Sequence, residues 1–573
     1  MAQDKDRRED VPAPEEGRDV SPASIREDQA GDQEDANSSR PPEGWFDPPS
    51  ASRLHAPDAP SIPHAFLTME RAAPGEVAVA DRTKCRTRRD ILVGALALAR
   101  RFRKYPGDRL GFLMPSVPAV AVAWLAAQLA GKIPVFLNWT VGMANLRHCL
   151  HVARISHVLG VAELLRRMEG LPRNVTLVGI EDLSEEISGL ERLYAALLAK
   201  LPPERLLARV PRTAAILFTS GSEALPKAVP LTHENLITNA RDIIVALRLK
   251  ADETVLAMLP PFHAFGLMVD IVLPLAAGLR GAYHPNPTDF RILVRLVRDF
   301  KLTLLAAPPT FLDSMLDRAK GTQDMASLRY SFIGAERCPE HLHALYAGTC
   351  PDSSLCEGYG VTECSPVIAV NRPGHAVQGT VGLPMDSLET AVVEEEDEVP
   401  LGRVGTGKTG MLLVRGPSVF EGYLADREDP FVEFEGKRWY RTGDLASRDA
   451  DGRLTIRGRI KRFVKIGGET VSLPQVEGVL LSAFAEGEDA HGEGPLLAVD
   501  AMSTPRGPQL VCFTTMDVEP STLNAELRNA GLSPLHTIRR VVRLESIPLL
   551  GSGKTDYRSL KRMLAQMVQE SGN

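Results

Sequence analysis

From about residue 63, short runs of apolar and often β-branched residues recur along the chain, separated by stretches with helical periodicity. The runs include RLGFLM (109–114), KIPVFL (132–137), HVLGV (157–161), TLVGI (176–180), TAAILFTS (213–220), TVLAML (254–259), TLLAA (303–307) and YSFIGA (330–335). Many are continuously apolar instead of alternating, the pattern of parallel strands covered on both faces. Helical segments such as HENLITNARDIIVALRL (233–249) lie between them. This alternation predicts an α/β layer architecture. Across about 380–460 the strands shorten and glycine-rich corners appear, as in GKTGMLLVRG and DGRLTIRGR. That change predicts a small antiparallel β region closing a large domain over 61–460. Alternation on a smaller scale resumes at about Lys461, predicting a small C-terminal α+β domain over 461–573, with the boundary at Gly458–Lys461.

One segment demands a membrane test. FLMPSVPAVAVAWLAAQLAG (112–131) runs twenty residues without a charge, long enough to cross a bilayer. Pro115 and Pro118 interrupt its first half, and IPVFLNWT follows as another buried run. The expectation is a strand followed by a core helix. A span is excluded, while a peripheral contact at the inner face of the cell membrane stays open.

Composition refines the picture at the N-terminus. Of 573 residues, 44% are hydrophobic and 24% charged, as in an ordinary folded protein. The net charge of −7 offers no overall field for nucleic acid. Residues 1–50 alone carry 14 acidic and 6 basic side chains. Dense mixed charge at the start excludes the basic-then-apolar order of a signal peptide. The stretch to Pro60 is rich in Asp, Glu, Pro and Ser, with Trp45 and Phe46 its only aromatics, so residues 1–60 are expected to form a disordered acidic tail. Seven scattered cysteines without a CxxC point away from a disulfide framework and toward a reducing, cytoplasmic setting.

The chemistry concentrates in a few loops. In TAAILFTSGSEALPKAV (213–229) a buried strand runs into Thr219, Ser220, Gly221 and Ser222, with Lys227 close behind. Backbone N–H groups of a tight Ser-Gly-Ser turn, with hydroxyls and an ammonium, can cradle an anion. The spacing is not GxxxxGK[ST]. The stretch resembles the phosphate-binding segment TSGTTGxPKG of the adenylate-forming, or acyl-activating, superfamily, from which it departs at Ser222, Glu223, Ala224 and Ala228. The Ser222-Glu223 pair resembles one branch, the ligase half of bacterial acyl–acyl-carrier-protein synthetase/2-acylglycerophosphoethanolamine acyltransferase.

Further blocks follow in the order of that superfamily. In LPPFHAFGL (259–267) the resemblance places His263 near the acyl pocket and phosphate. In FIGAERCP (332–339) it makes Gly334, Ala335 and Glu336 the wall between acyl pocket and adenine. In CEGYGVTECSP (356–366) it puts Tyr359 over adenine, Thr362 on phosphate and Glu363 on Mg2+, a hard ion suited to two anions that must react. In the longest match, WYRTGDLASRDADGRLTIRGRIKRFVKIGGETVSLPQVEGVL (439–480), it implies Asp444 on the ribose hydroxyls and Arg459 on ribose or phosphate. Lys461 becomes the hinge of a swinging C-terminal domain, and Gly467 and Gly468 line the thiol tunnel. A surface β-hairpin is the plain reading of RFVKIGGETV. Finally, Lys554 in SIPLLGSGKTDYRSLK (546–561) corresponds to the lysine that stabilises the adenylation transition state.

The resemblance implies ATP and Mg2+ as cofactors and a long-chain fatty acid as substrate. NWT (138–140), YHPNPTDF (283–290) and LLGSGKTDY again resemble the acyl-carrier-protein branch, implying acyl carrier protein as thiol acceptor and a separately encoded acyltransferase as a partner. The HxxxxD string His284–Asp289 reads as coincidence, since Pro285 and Pro287 interrupt it. Arg457, Arg462 and Lys465 form a basic cluster that would suit an acidic carrier. Coenzyme A as acceptor, another acceptor of the acyl-adenylate, and a non-catalytic binding protein are the alternatives. Retention of Lys554, Glu363 and Asp444 argues against the last.

Overall fold

A computed structural model of the chain describes residues 41–570 except 50–53, 55–56, 142, 169–170, 220–224, 397, 426–428, 460–461, 467–468, 485–494, 505–506, 533 and 550–554. Two large sheets form the layers that the continuous apolar runs predict. The first has six strands in the order Thr176–Gly179, His157–Gly160, Arg109–Leu113, Ile133–Phe136, Thr213–Phe218 and Ala228–Thr232, parallel except for the last. The second has nine, with Val77–Ala80, Arg280–Tyr283, Thr254–Ala257, Leu304–Ala307, Tyr330–Ile333 and Ser354–Gly360 running parallel at its centre. Its edges are closed by antiparallel strands.

Helices fill the space between. The uncharged segment folds as Arg109–Leu113 and then the helix Pro118–Ala130, which starts on proline and stops at Gly131 in the left-handed conformation. Nearly all of this helix is buried, and Trp124 donates from Nε1 to the Ala214 carbonyl at 3.1 Å. Its apolar character belongs to a core; among the described residues no helix is long and apolar enough to cross a membrane. The helix His233–Leu247 opens on a reciprocal cap between Thr232 and Asn235, whose side-chain amide also donates to the Pro417 and Val419 carbonyls. It therefore fixes the antiparallel region against the parallel layers.

That antiparallel sheet runs Val399–Arg403, Glu389–Glu396, Thr409–Arg415, Lys437–Arg448 and Phe431–Phe434, with Leu454–Arg459 added on Lys437–Arg448. Beyond it, Phe463–Ile466 and Glu469–Ser472 pair as the hairpin read from RFVKIGGETV. The helix Leu473–Phe484 and the strands Leu497–Thr504, Gly507–Thr514 and Ile538–Arg543 share a separate apolar cluster that includes Val476, Leu510 and Ile538.

The structure corrects two expectations. The tail does not stay unstructured to residue 60. Trp45 is 1% exposed, stands edge-on to Phe300 and donates from Nε1 to its carbonyl at 2.8 Å. Arg280 reaches back to the Trp45 and Asp47 carbonyls. Nor does every member of the basic cluster lie open: Arg462 is bonded to Glu477 at 2.6 Å, stacks over the Tyr557 ring at 3.6 Å and is mostly enclosed. Glu477 also accepts from the Tyr557 hydroxyl and the Val499 N–H. The Arg462 guanidinium is thus engaged within its own chain, while Arg457 is exposed.

Candidate active site

Three segments converge at the ends of these sheets. Ser354–Gly360 delivers Tyr359, the short 3-10 turn Thr362–Cys364 delivers Thr362 and Glu363, and Lys437–Arg448 delivers Asp444. Asn239 holds the turn by bonding the backbone of Val367 in both directions, at 2.7 and 3.1 Å. Gly360 must be glycine here, because a Cβ would overlap the Pro366 carbonyl.

Asp444 is the centre of the cluster. It is 3% exposed; the Tyr359 hydroxyl donates to Oδ2 at 2.5 Å and Arg459 Nε donates to Oδ1 at 2.9 Å. Burial and the neighbouring carboxylate push the Tyr359 hydroxyl well above its usual range, so it remains a donor. The carboxylate keeps further lone pairs after these two bonds.

Glu363 is buried next to this group. Tyr423 donates to its Oε1 at 2.7 Å, and Tyr440 also bonds it. Burial raises its pKa above the usual carboxylate value, opposed by those hydroxyls and by Arg459. Lys227 reaches the same spot from the loop that follows Thr213–Phe218, with Nζ 5.0 Å from the Tyr423 ring centre. The base of that loop is closed by Thr219 N–H donating to the Lys227 carbonyl at 3.0 Å, and Leu424 N–H donates to the Ala228 carbonyl.

The wall segment follows Tyr330–Ile333. A Cβ on Gly334 would stand 3.0 Å from the Gly358 carbonyl, so the two backbones run in close contact. Ala335 holds a φ of 71°, and Glu336 accepts from Thr310 at 3.0 Å. His263 stands at the start of the helical segment Ala264–Leu267 beside Phe262, whose ring meets Trp139 edge-on at 4.5 Å. The NWT and LPPFH blocks are thus neighbours.

Of the residues singled out in the sequence, Tyr359, Glu363, Asp444, Arg459, Lys227 and Thr219 are joined through this network, and Thr362 lies within it. Ser220, Gly221, Ser222, Lys461, Gly467, Gly468 and Lys554 lie outside the described residues. Sequence reasoning missed Tyr423 and Tyr440, the two hydroxyls on Glu363. Strand periodicity held a signal for one of them, since Tyr440, Thr442 and Asp444 alternate along Lys437–Arg448 toward one buried face.

Layered parallel sheets with an antiparallel annex define an α/β fold, and a buried Asp444 joined to Tyr359 and Arg459 marks its candidate site. The chain belongs to the AMP-binding enzyme family, whose profile matches residues 68–424. It is 24% identical over 474 residues to 4-coumarate–CoA ligase 1 of Petroselinum crispum, spanning 80% of this chain and 85% of the relative. It is 26% identical over 487 residues to the medium-chain fatty-acid–CoA ligase of Escherichia coli (strain K12), spanning 81% and 83%. ATP-bound MatB from Rhodopseudomonas palustris shares the fold, with a TM-score of 0.73 at 21% identity over 88% of this chain and 99% of that one. So does o-succinylbenzoate coenzyme A synthetase from Bacillus subtilis in complex with ATP and magnesium ion, with a TM-score of 0.73 at 20% identity over 87% and 99%. The chain is an AMP-forming ligase of the adenylate-forming superfamily, whose members use ATP.

Proposed function

We propose that this ligase activates a long-chain fatty acid as acyl-AMP, releasing pyrophosphate, and passes the acyl group to a phosphopantetheine thiol. The observation that carries the reading is the buried Asp444 carboxylate, fixed by Tyr359 and Arg459 beside Glu363. An acceptor-only group with spare lone pairs suits two ribose hydroxyls, and Tyr359 offers an aromatic face to adenine. Thr219, Ser220, Gly221, Ser222, Lys227 and Thr362 are the candidates for the phosphates. Gly334, Ala335 and Glu336 would separate adenine from the acyl chain.

Glu363 fits a magnesium ion: it is a buried carboxylate whose ionised form burial penalises, and a bound cation would compensate that charge. Such an ion supplies charge neutralisation between carboxylate and triphosphate. Lys554 is the proposed cation on the reacting carboxylate and α-phosphate, and His263 lines the acyl side. Lys461 would serve as hinge between the 61–460 and 461–573 units, with Gly467 and Gly468 along the thiol path.

Two acceptors divide the second step. The Ser222-Glu223 pair favours acyl carrier protein, which could in turn feed a separately encoded acyltransferase. The names of the curated relatives favour coenzyme A. Enclosure of Arg462 takes one of three basic residues from the carrier reading. A peripheral contact with an anionic membrane is supported by the helix Gly189–Leu198, where Leu190, Leu193, Tyr194 and Leu197 form an exposed apolar stripe with Arg192 and Lys200 exposed alongside.

Product identification tests the whole reading. The protein is incubated with ATP, Mg2+ and mixed fatty acids, with each thiol supplied in turn. Acyl thioester with AMP as co-product is expected. Absence of fatty-acid-dependent pyrophosphate exchange, or unchanged exchange in Lys554→Ala, sinks it.

A further inference from the structure

Just past the adenine-wall segment, the chain assembles a second group of ligand atoms. Tyr330–Ile333 and Ser354–Gly360 run parallel, with Ile333 opposite Glu357. The loop leaving the first strand carries Cys338, and the helix Glu340–Thr349 follows at once with His343. This brings one ligand atom each from Cys338, His343 and Glu357 within 4.8 Å of one another. Cys338 Sγ lies 3.4 Å from His343 Nε2. Glu357 is 8% exposed, and its Oε2 is buried without a hydrogen-bond partner. The carboxylate does receive the Cys338 backbone N–H, which aims it at the thiol. An orphaned carboxylate oxygen of this kind is costly unless something else satisfies it.

We propose that Cys338, His343 and Glu357 form a binding site for zinc or a similar borderline divalent transition ion. Bond lengths of about 2.3 Å to sulfur and about 2.0 Å to nitrogen, set at a tetrahedral angle, put the two ligand atoms about 3.5 Å apart. The observed separation of 3.4 Å needs almost no movement. Thiolate, imidazole and carboxylate together select a borderline ion over magnesium, which takes oxygen ligands. On binding, the ion displaces the thiol proton, and thiolate plus carboxylate balance its two positive charges. The fourth position is left to water. Cys338 and His343 are only half-buried, which gives the ion an entry path.

The same groups do not make a nucleophile. In the metal-free protein, burial pushes the Cys338 thiol up to about 12, the opposite of an activated cysteine. Position gives the site its consequence. Cys338 is two residues beyond Glu336, and Glu357 is two residues before Tyr359. A bound ion therefore clamps the wall segment to the strand that carries Tyr359.

The test uses the full chain, stripped with a chelator and titrated with zinc against a chromophoric competitor, and separately with cobalt(II). One equivalent of zinc is expected, with a thiolate-to-cobalt charge-transfer band and a raised thermal midpoint. Cys338→Ser should lose the band. Losing a direct ligand should cost at least the roughly 10–100-fold in affinity that an outer-shell partner is worth, so His343→Gln and Glu357→Gln should weaken zinc binding by that much or more. The half-buried His343→Gln serves if a buried substitution disturbs folding, checked by circular dichroism of the metal-free proteins. A charge-transfer band surviving in Cys338→Ser, zinc affinity unchanged in His343→Gln, or no zinc bound by the wild type overturns the site.

Discussion

At the scale of single residues, charge-assisted hydrogen bonds decide the behaviour of the Asp444 cluster proposed to hold nucleotide. Asp444→Asn keeps the shape but removes the charge that Arg459 and Tyr359 address. Bonds to charged groups are worth about 1.5–3 kcal/mol, so KM for ATP in pyrophosphate exchange should rise about 10- to 100-fold, and the weakened bonds to Arg459 and Tyr359 should lower the thermal midpoint as well. His233 gives a pH signature of the fold. It is 3% exposed, bonded to Gln128 through Nε2 and to Ile62 N–H through Nδ1, and burial lowers its pKa from 6.5 to about 3. The unfolded chain takes up the proton first, so this contribution is complete above pH 6.5 and is lost as pH falls toward 3. The slope approaches about 1.4 kcal/mol per pH unit in that window. Urea denaturation at stepped pH should show the slope in the wild type and a flatter profile in His233→Gln.

At the scale of elements, most of the fold was legible. Continuous apolar runs named the parallel strands because both faces of the central ones are covered, and a proline-led, glycine-ended pattern named the helix Pro118–Ala130. The basic run after Gly458 was not legible, since a string of Arg and Lys does not reveal which side chain turns inward. Arg462 turns inward because Glu477 and Tyr557 wait there, from two helices far apart in the chain. Breaking a buried ion pair costs about 3–5 kcal/mol, so Arg462→Glu should unfold or loosen the C-terminal elements, seen as faster proteolysis after residue 460. Lowered thioester formation in that variant would then report lost structure. Proteolysis at the wild-type rate would contradict this.

At the scale of the whole molecule, long-range contacts override composition. The polar tail predicted disorder to residue 60, yet Trp45 finds Phe300 across 255 positions of sequence. No local pattern announces such a partner. Tyr423 escaped notice for a similar reason, since it lies 60 positions from its partner Glu363. A chain beginning at residue 41 should keep the full-length thermal midpoint. One beginning at 61 should lose several degrees, because removing a buried Trp side chain alone costs about 3–5 kcal/mol. Equal midpoints for the two would show that the Trp45 contact contributes nothing.

The edge-on meeting of Trp139 with Phe262, next to His263, has an optical corollary. The chain has four tryptophans, and Trp45, Trp124 and Trp439 are at most 1% exposed, sealed away from solvent changes. Trp139 is half-buried. Trp139 is therefore the indole whose surroundings a fatty acid would change if it binds where His263 is proposed to line the acyl side. Trp139→Phe should abolish the shift and leave the rest of the spectrum in place. Occupancy of the proposed acyl pocket then becomes readable by light alone, without nucleotide, thiol or turnover.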